Sequence, residues 1–174
     1  RAYALNAVAK DLLGSLRAWP DDGEAADATP SVTPVSRMAV WGDSGGELHF
    51  SAADQGSEAL SWIVDVPALE QRLAHAVHFQ AGITCLDEAP PHAPLTVICE
   101  GRRSATRAEL GIDYEVRPYP HKAVAARLRC AQPHGGVARQ WFSQGEVMAL
   151  LPLRRRRLSS LASCRQLRML RNTQ

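Results

Sequence analysis

The 174-residue sequence lacks any run of about 18 uncharged apolar residues, which excludes a transmembrane helix. It also lacks an initiating Met and the basic-then-apolar build of a secretory signal, so we expect the chain to begin mid-protein. Its four cysteines form no CxxC pair and have no zinc-type spacing with histidine. This pattern predicts free thiols in a reducing cytoplasm, and no metal site.

Acidic residues are absent from residues 154–174, which carry seven arginines. Residues 1–153 have 13 basic against 18 acidic side chains, a difference of −5, so the basic character belongs to the tail. We expect the tail to lie outside the fold, and three interpretations stay open: a shifted reading frame, a basic amphipathic helix at the inner membrane surface, and a solvated tail. No aromatic platform accompanies the arginines, which disfavours nucleic-acid binding.

What the sequence does contain is a series of periodic patterns that predict a mixed α/β fold with one sizeable core. The predicted order is an amphipathic helix at 4–17, a hairpin around "GDSGG", a buried strand at 59–66, a helix from Pro67, strands at 83–86 and 95–99, a helix from Ser104, and about three antiparallel strands in 121–153.

The segment "TVICEGRRSATRAELG" at 96–111 offers the first candidate site. An apolar strand ends at Glu100 and Gly101, and Ser104 is a good N-cap for the following helix. The N–H groups of the helix start and the nearby arginines favour an anion such as phosphate, whereas Glu100 fits a hydroxyl or ribose donor better. A solvated surface turn is the alternative.

This segment resembles the second fingerprint, usually Asp-Gly, of the flavin-dependent aromatic hydroxylases. Flanking segments resemble the family in the same order: "RAYALNAVAKDLLGSLRAW", "MAVWGDSGGELHF", "WIVDVPALEQRL", and "PHGGVARQWF" followed by "ALLPL". The resemblance covers residues 1–153 and is greatest to the ubiquinone-biosynthesis hydroxylases. It implies a partial FAD-binding layer at 1–36 and 67–117, and an antiparallel-sheet substrate domain at 37–66 and 118–153.

The resemblance also implies roles for individual residues. The family's cofactor-binding positions match Arg1, Glu100, Gly101, Ser104 and Arg107. The implied activity is hydroxylation of an aromatic or prenylated phenol by FAD that is reduced by NAD(P)H, and no side chain is expected to act as acid, base or nucleophile. By the same resemblance, Trp62 and Trp141 are expected to border the ring pocket, with packing as the alternative.

Two further flavin motifs of the family, GxGxxG and a later Gly-Asp, do not occur at the expected places. We therefore predict a fragment of a monooxygenase that binds FAD poorly or not at all by itself. The alternative function is a non-catalytic α/β interaction module whose basic tail contacts a partner or membrane. His75 and His78 are expected to be surface histidines, and Ser44 a turn residue.

Overall fold

The computed structural model of the protein describes residues 2–20, 30–88, 92–119, 121–153 and 157–164, the last range as backbone only. The chain divides into two compact units, residues 1–81 with 121–174, and residues 82–120. The described residues of the second unit contain one α-helix, α3 (Ala105–Glu109). The first contains β1 (Ala2–Leu5), α1 (Ala7–Ser15), β2 (Val32–Val35), β3 (Arg37–Trp41), β4 (Glu47–Ser51), β5 (Ser61–Asp65), α2 (Val66–His78), β6 (Lys122–Arg129), β7 (Val137–Ser143), β8 (Glu146–Leu153) and β9 (Arg157–Cys164). The predicted mixed α/β fold is confirmed.

Two sheets form the first unit. The smaller has the strand order β1-β5-β2, with β5 antiparallel to both neighbours. The larger has the order β4-β3-β7-β8-β9-β6, in which β3 and β7 are parallel and the other pairs are antiparallel. The hairpin around "GDSGG" and the β7–β8 hairpin are confirmed. The three strands expected within residues 121–153, β6, β7 and β8, belong to a larger sheet, which also contains the β3–β4 hairpin.

Strand β5 lies at the centre of the core because its alternate side chains enter two clusters. Ile63 is fully buried and packs with Val35, Ala138 and Leu153, which joins the small sheet to the large one. On the opposite face, Trp62 and Val64 pack with Leu69 of α2 and with partly buried side chains of β1, α1 and β2. The predicted buried strand and the helix that follows it are therefore confirmed.

The predicted N-terminal helix begins later than expected. Residues 2–5 pair with β5, and Asn6 caps α1 by accepting a hydrogen bond from the Ala9 N–H at 2.9 Å. A strand forms here because β5 offers an open edge, and the Asn side chain then satisfies an amide of the first helical turn. The expected apolar face of this helix is mostly exposed: Val8 and Leu12 are 75% and 59% accessible.

In the second unit, helix α3 is confirmed but the strands predicted at 83–86 and 95–99 are wrong. The described residues 82–88 and 92–119 of this unit include no strand that could pair with these segments. Leu95 and Val97 are accordingly 79% and 72% exposed. An apolar β-prone run becomes a strand only where another strand satisfies its backbone groups.

Part of the arginine-rich tail belongs to the large sheet, contrary to expectation. Strand β9 pairs antiparallel with both β8 and β6, whose edges supply its hydrogen-bonding partners. Residues 154–156 and 165–174 lie outside the described residues. None of the described helices is long and apolar enough to span a membrane. Cys85, Cys99 and Cys130 are free thiols, as predicted.

Candidate functional site

The Glu-Gly turn of the second unit directs the carboxylate of Glu100 onto the start of α3. Gly101 has a left-handed φ of 75°, which lets the backbone reverse there at little cost. One carboxylate oxygen accepts hydrogen bonds from the Ser104 hydroxyl at 2.7 Å and the Thr106 N–H at 3.2 Å, and the other accepts from the Thr106 hydroxyl. Glu100 therefore caps the helix that follows it.

These hydrogen bonds stabilise the ionised form of Glu100. The Thr106 hydroxyl and then the Ser104 hydroxyl are the largest causes that lower the pKa of Glu100, while desolvation acts in the opposite direction. A carboxylate already occupies the N-terminal end of α3, where the sequence suggested an external anion. The arrangement thus disfavours a phosphate at this helix start.

Ser104 and Arg107 are also engaged within the second unit. The buried Ser104 hydroxyl accepts a hydrogen bond from the Arg107 N–H at 3.1 Å, as expected for an N-cap. The Arg107 guanidinium lies 4.2 Å from the centre of the Tyr114 ring and donates to the Arg102 carbonyl. Both side chains thus help to hold the turn together.

Four of the residues that the resemblance implies for FAD line one small cavity. Glu100, Gly101, Ser104 and Arg107 border a space of about 240 Å³. Pockets for cofactors and drug-sized ligands range from about 300 to 1,000 Å³. The cavity is therefore smaller than such pockets, and polar groups of Glu100, Ser104 and Arg107 already bond within the second unit. Arg1, the fifth predicted cofactor residue, lies outside the described residues.

The two tryptophans expected near a ring pocket lie on different sheets. Trp62 is only 5% exposed, makes an edge-on contact with Trp19, and has the Lys10 ammonium 4.3 Å from its ring centre. These contacts are those of a core side chain, the alternative considered from the sequence. Trp141 is half-buried on β7 and stacks on Trp41 of β3, with ring centres 4.9 Å apart and planes 8° from parallel.

The stacked pair follows from the parallel register of β3 and β7, which places Trp41 directly beside Trp141. Because side chains alternate along a strand, both rings lie on the face opposite Met38 and Ala138, which belong to the core. His49 of β4 makes an edge-on contact with Trp41. The result is an aromatic surface on the outer face of the large sheet.

A cavity of about 310 Å³ lies along this surface, and several residues that line it were not predicted as site residues from the sequence. Sequence alternation alone puts Arg37 and Trp41 on one face of β3, and Arg139 and Trp141 on one face of β7. Nothing local indicates that two strands about 100 residues apart are neighbours. The polar and aromatic side chains around the cavity include Arg37, Trp41, His49, Ser51, Asp54 and Arg139.

No protein-family model matches the sequence. Among solved structures, the chain is similar to a mutant of PqsL from Pseudomonas aeruginosa, with a TM-score of 0.70 and 18% identity over 94% of this chain and 50% of that chain. It is also similar to PqsL, a probable FAD-dependent monooxygenase of that organism, with a TM-score of 0.57 and 18% identity over 76% of this chain and 42% of that one. The chain spans about half the length of these proteins. Its mixed α/β fold therefore resembles part of the fold of this probable FAD-dependent monooxygenase.

Proposed function

We propose that the chain is part of an FAD-dependent monooxygenase that hydroxylates an aromatic ring, and that the outer face of its large sheet binds that ring. The sequence resemblance favours a ubiquinone-precursor-like phenol and NAD(P)H as reductant. The fold likeness to about half of PqsL supports the monooxygenase part of this proposal. The assignment of Glu100, Gly101, Ser104, Arg107 and Arg1 to the cofactor stays a prediction.

The observation that carries the ring-binding role is the stacked pair Trp41–Trp141 beside a cavity. Stacked aromatic side chains present large, rigid apolar surfaces, which suit a planar ring. Trp41 lines the cavity, and Trp141 supports it from the neighbouring strand. The chain's own contribution to the reaction is to hold the ring in place and to exclude water from it, whereas the oxygen chemistry belongs to the cofactor.

Intrinsic tryptophan fluorescence tests this role with the 174-residue chain. We expect 4-hydroxybenzoate or its neutral analogue 4-hydroxybenzamide to produce a saturable change in emission. The variants Trp41→Leu and Trp141→Leu should lose this response, whereas Trp19→Phe, a matched control in the core, should keep it. The proposal fails if neither compound gives a saturable response, or if Trp41→Leu responds like the unsubstituted chain.

One observation favours the non-catalytic interaction module as a second candidate. The second unit exposes several large apolar side chains, among them Leu95, Val97 and Tyr119, which is 87% accessible. Where such side chains form a contiguous patch, they mark a surface that contacts other macromolecules. A soluble chain that forms a stable complex through this unit, and gives no response to either aromatic compound, would favour this function over the monooxygenase.

A further inference from the structure

The ring-binding cavity also carries an excess of positive charge. Two of the described residues that line it are arginines, Arg37 and Arg139, and Asp54 is the described carboxylate on its wall. His49 also lines the cavity and bonds to the Glu47 carboxylate at 2.8 Å. The excess contrasts with residues 1–153 as a whole, which have more acidic than basic side chains.

The sheet register brings the two arginines together. Arg37 is paired with Val137, and Arg139 with Ala39, so the two positions lie diagonally across neighbouring parallel strands. From the spacing of strands and residues, their Cα atoms are about 8 Å apart on the same face. Two side chains as long as arginine can therefore reach one ligand group from this distance.

Neither guanidinium is engaged elsewhere in the described part of the chain. The side chains of Arg37 and Arg139 have no hydrogen-bond or ion-pair partner among the residues that the structure describes. Arg127, by contrast, forms an ion pair with a buried carboxylate. Arg139 is half-buried and lies on the same face of β7 as Trp141. A carboxylate is the group that such a planar donor binds best, through two parallel N–H···O bonds.

We infer that this cavity selects an aromatic carboxylate, with Trp41 against the ring and Arg37 and Arg139 on the carboxylate. The inference rests on the proposed ring-binding function and names the substrate class of that site. The cavity volume of about 310 Å³ is at the lower end for ligand pockets, which suits one or two rings. The expected substrate is thus a small aromatic acid.

Calorimetric titration with two ligands of nearly equal shape tests the charge selection. At pH 7 and low salt, 4-hydroxybenzoate carries a carboxylate where 4-hydroxybenzamide carries a neutral amide. We expect the acid to bind the 174-residue chain about 10-fold more tightly, since hydrogen bonds to charged groups are about twice as strong as neutral ones. This preference should decrease as salt is added, because the arginines are partly accessible to solvent.

Substitutions test whether Arg37 and Arg139 cause the preference for the acid over the amide. Arg139→Gln and Arg37→Gln should each reduce the preference for the acid to within about twofold, whereas Arg139→Lys should retain part of it. Arg129→Gln is the matched control, since this exposed arginine lies on β6 at the far end of the same sheet. Far-UV circular dichroism establishes that each variant folds like the unsubstituted chain.

The outcomes separate the inference from the function on which it rests. Equal binding of acid and amide, tighter binding of the amide, or an unchanged preference in both Arg→Gln variants would overturn the charge selection and leave the ring-binding role intact. If neither ligand binds, both ideas fail. A preference that is lost with Arg139→Gln and kept with Arg129→Gln supports the inference.

Discussion

At the scale of single residues, the Glu100 side chain occupies the helix start to which an external anion could otherwise bind. Its carboxylate accepts hydrogen bonds from Ser104 and Thr106 and so replaces the external anion that a helix start could otherwise attract. The residue is exposed, so solvent competes for its hydrogen bonds, and its role is to order the turn locally. The pKa of the Glu100 carboxyl group is therefore a measure of these hydrogen bonds.

We predict that Glu100 titrates below the ordinary glutamate value of about 4.3. Because the folded-state pKa is lowered, its stabilising effect is fully present above that value and is lost as the pH falls through the lower folded-state pKa. The NMR shift of the Thr106 amide, which donates to Glu100, should follow this midpoint. Glu100→Gln should abolish the pH dependence and Glu109→Gln should preserve it, whereas a midpoint at or above 4.3 would contradict the prediction.

Arg17 occupies a backbone position that usually requires glycine. Arg17 lies just after the end of α1 and has a φ of 54°. Its N–H donates a hydrogen bond to the Gly14 carbonyl, and the N–H of Ala18 donates one to the Leu13 carbonyl. This pair of bonds is the Schellman ending of a helix, in which a left-handed residue completes the last turn. A Cβ atom makes that conformation costly.

We therefore expect Arg17→Gly to stabilise the chain by about 0.5–1 kcal/mol. Arg17→Ala is the matched control, since alanine removes the charge and keeps the Cβ atom, and it should give no comparable gain. Urea unfolding followed by tryptophan fluorescence measures both. Equal midpoints for the glycine and alanine variants would show that the backbone conformation is not the source of the effect.

At the scale of elements, strand β5 and strand β6 are joined by an ion pair across the two sheets. Asp65, at the end of β5, is 4% exposed, and Arg127 of β6 donates to its carboxylate at 2.5 Å. Asp65 points to the same side of β5 as Ile63, towards the large sheet. The apolar contact at Ile63 and this ion pair together fix how the two sheets pack within the first unit.

Arg127→Met should destabilise the first unit by on the order of 2 kcal/mol, because it removes a partner of a buried carboxylate. This is below the full cost of breaking a buried pair because the Arg127 side chain is 38% exposed. The second substitution Asp65→Asn should recover part of the loss, and Arg129→Met on the exposed part of β6 should change stability little. Thermal unfolding of the four chains checks this, and equal effects of the two Arg→Met changes would refute it.

At the scale of the whole molecule, the chain contains two candidate sites, one for an aromatic ring in the first unit and one for a cofactor in the second. The first unit has two sheets, two core clusters and the aromatic surface. The second unit holds four of the five residues that the resemblance assigns to the flavin, and these four line a cavity of about 240 Å³.

We expect the purified chain to retain no stoichiometric FAD. The polar groups of Glu100, Ser104 and Arg107 are engaged within their own unit, so a flavin would have to displace these contacts. Incubation with excess FAD, desalting and an absorption spectrum measure the result, with free FAD passed through the same column as control. A yellow protein with one flavin per chain would overturn the expectation.

The sequence by itself determined the elements whose signals are local. The apolar run of β5 and the proline in the first turn of α2, the glycine-rich turn of β3–β4, and the cap at Ser104 all act within a few residues, so they could be predicted. Only the tertiary structure decided the rest. The segment 95–99 forms no strand because no described strand pairs with it, and residues 157–164 do because β8 and β6 offer their edges. The parallel pairing of β3 with β7 likewise joins Trp41 to Trp141 and Arg37 to Arg139 across about 100 residues. Such pairing depends on which strand edges and sheet faces the rest of the folded chain leaves open. A local sequence pattern does not contain that information.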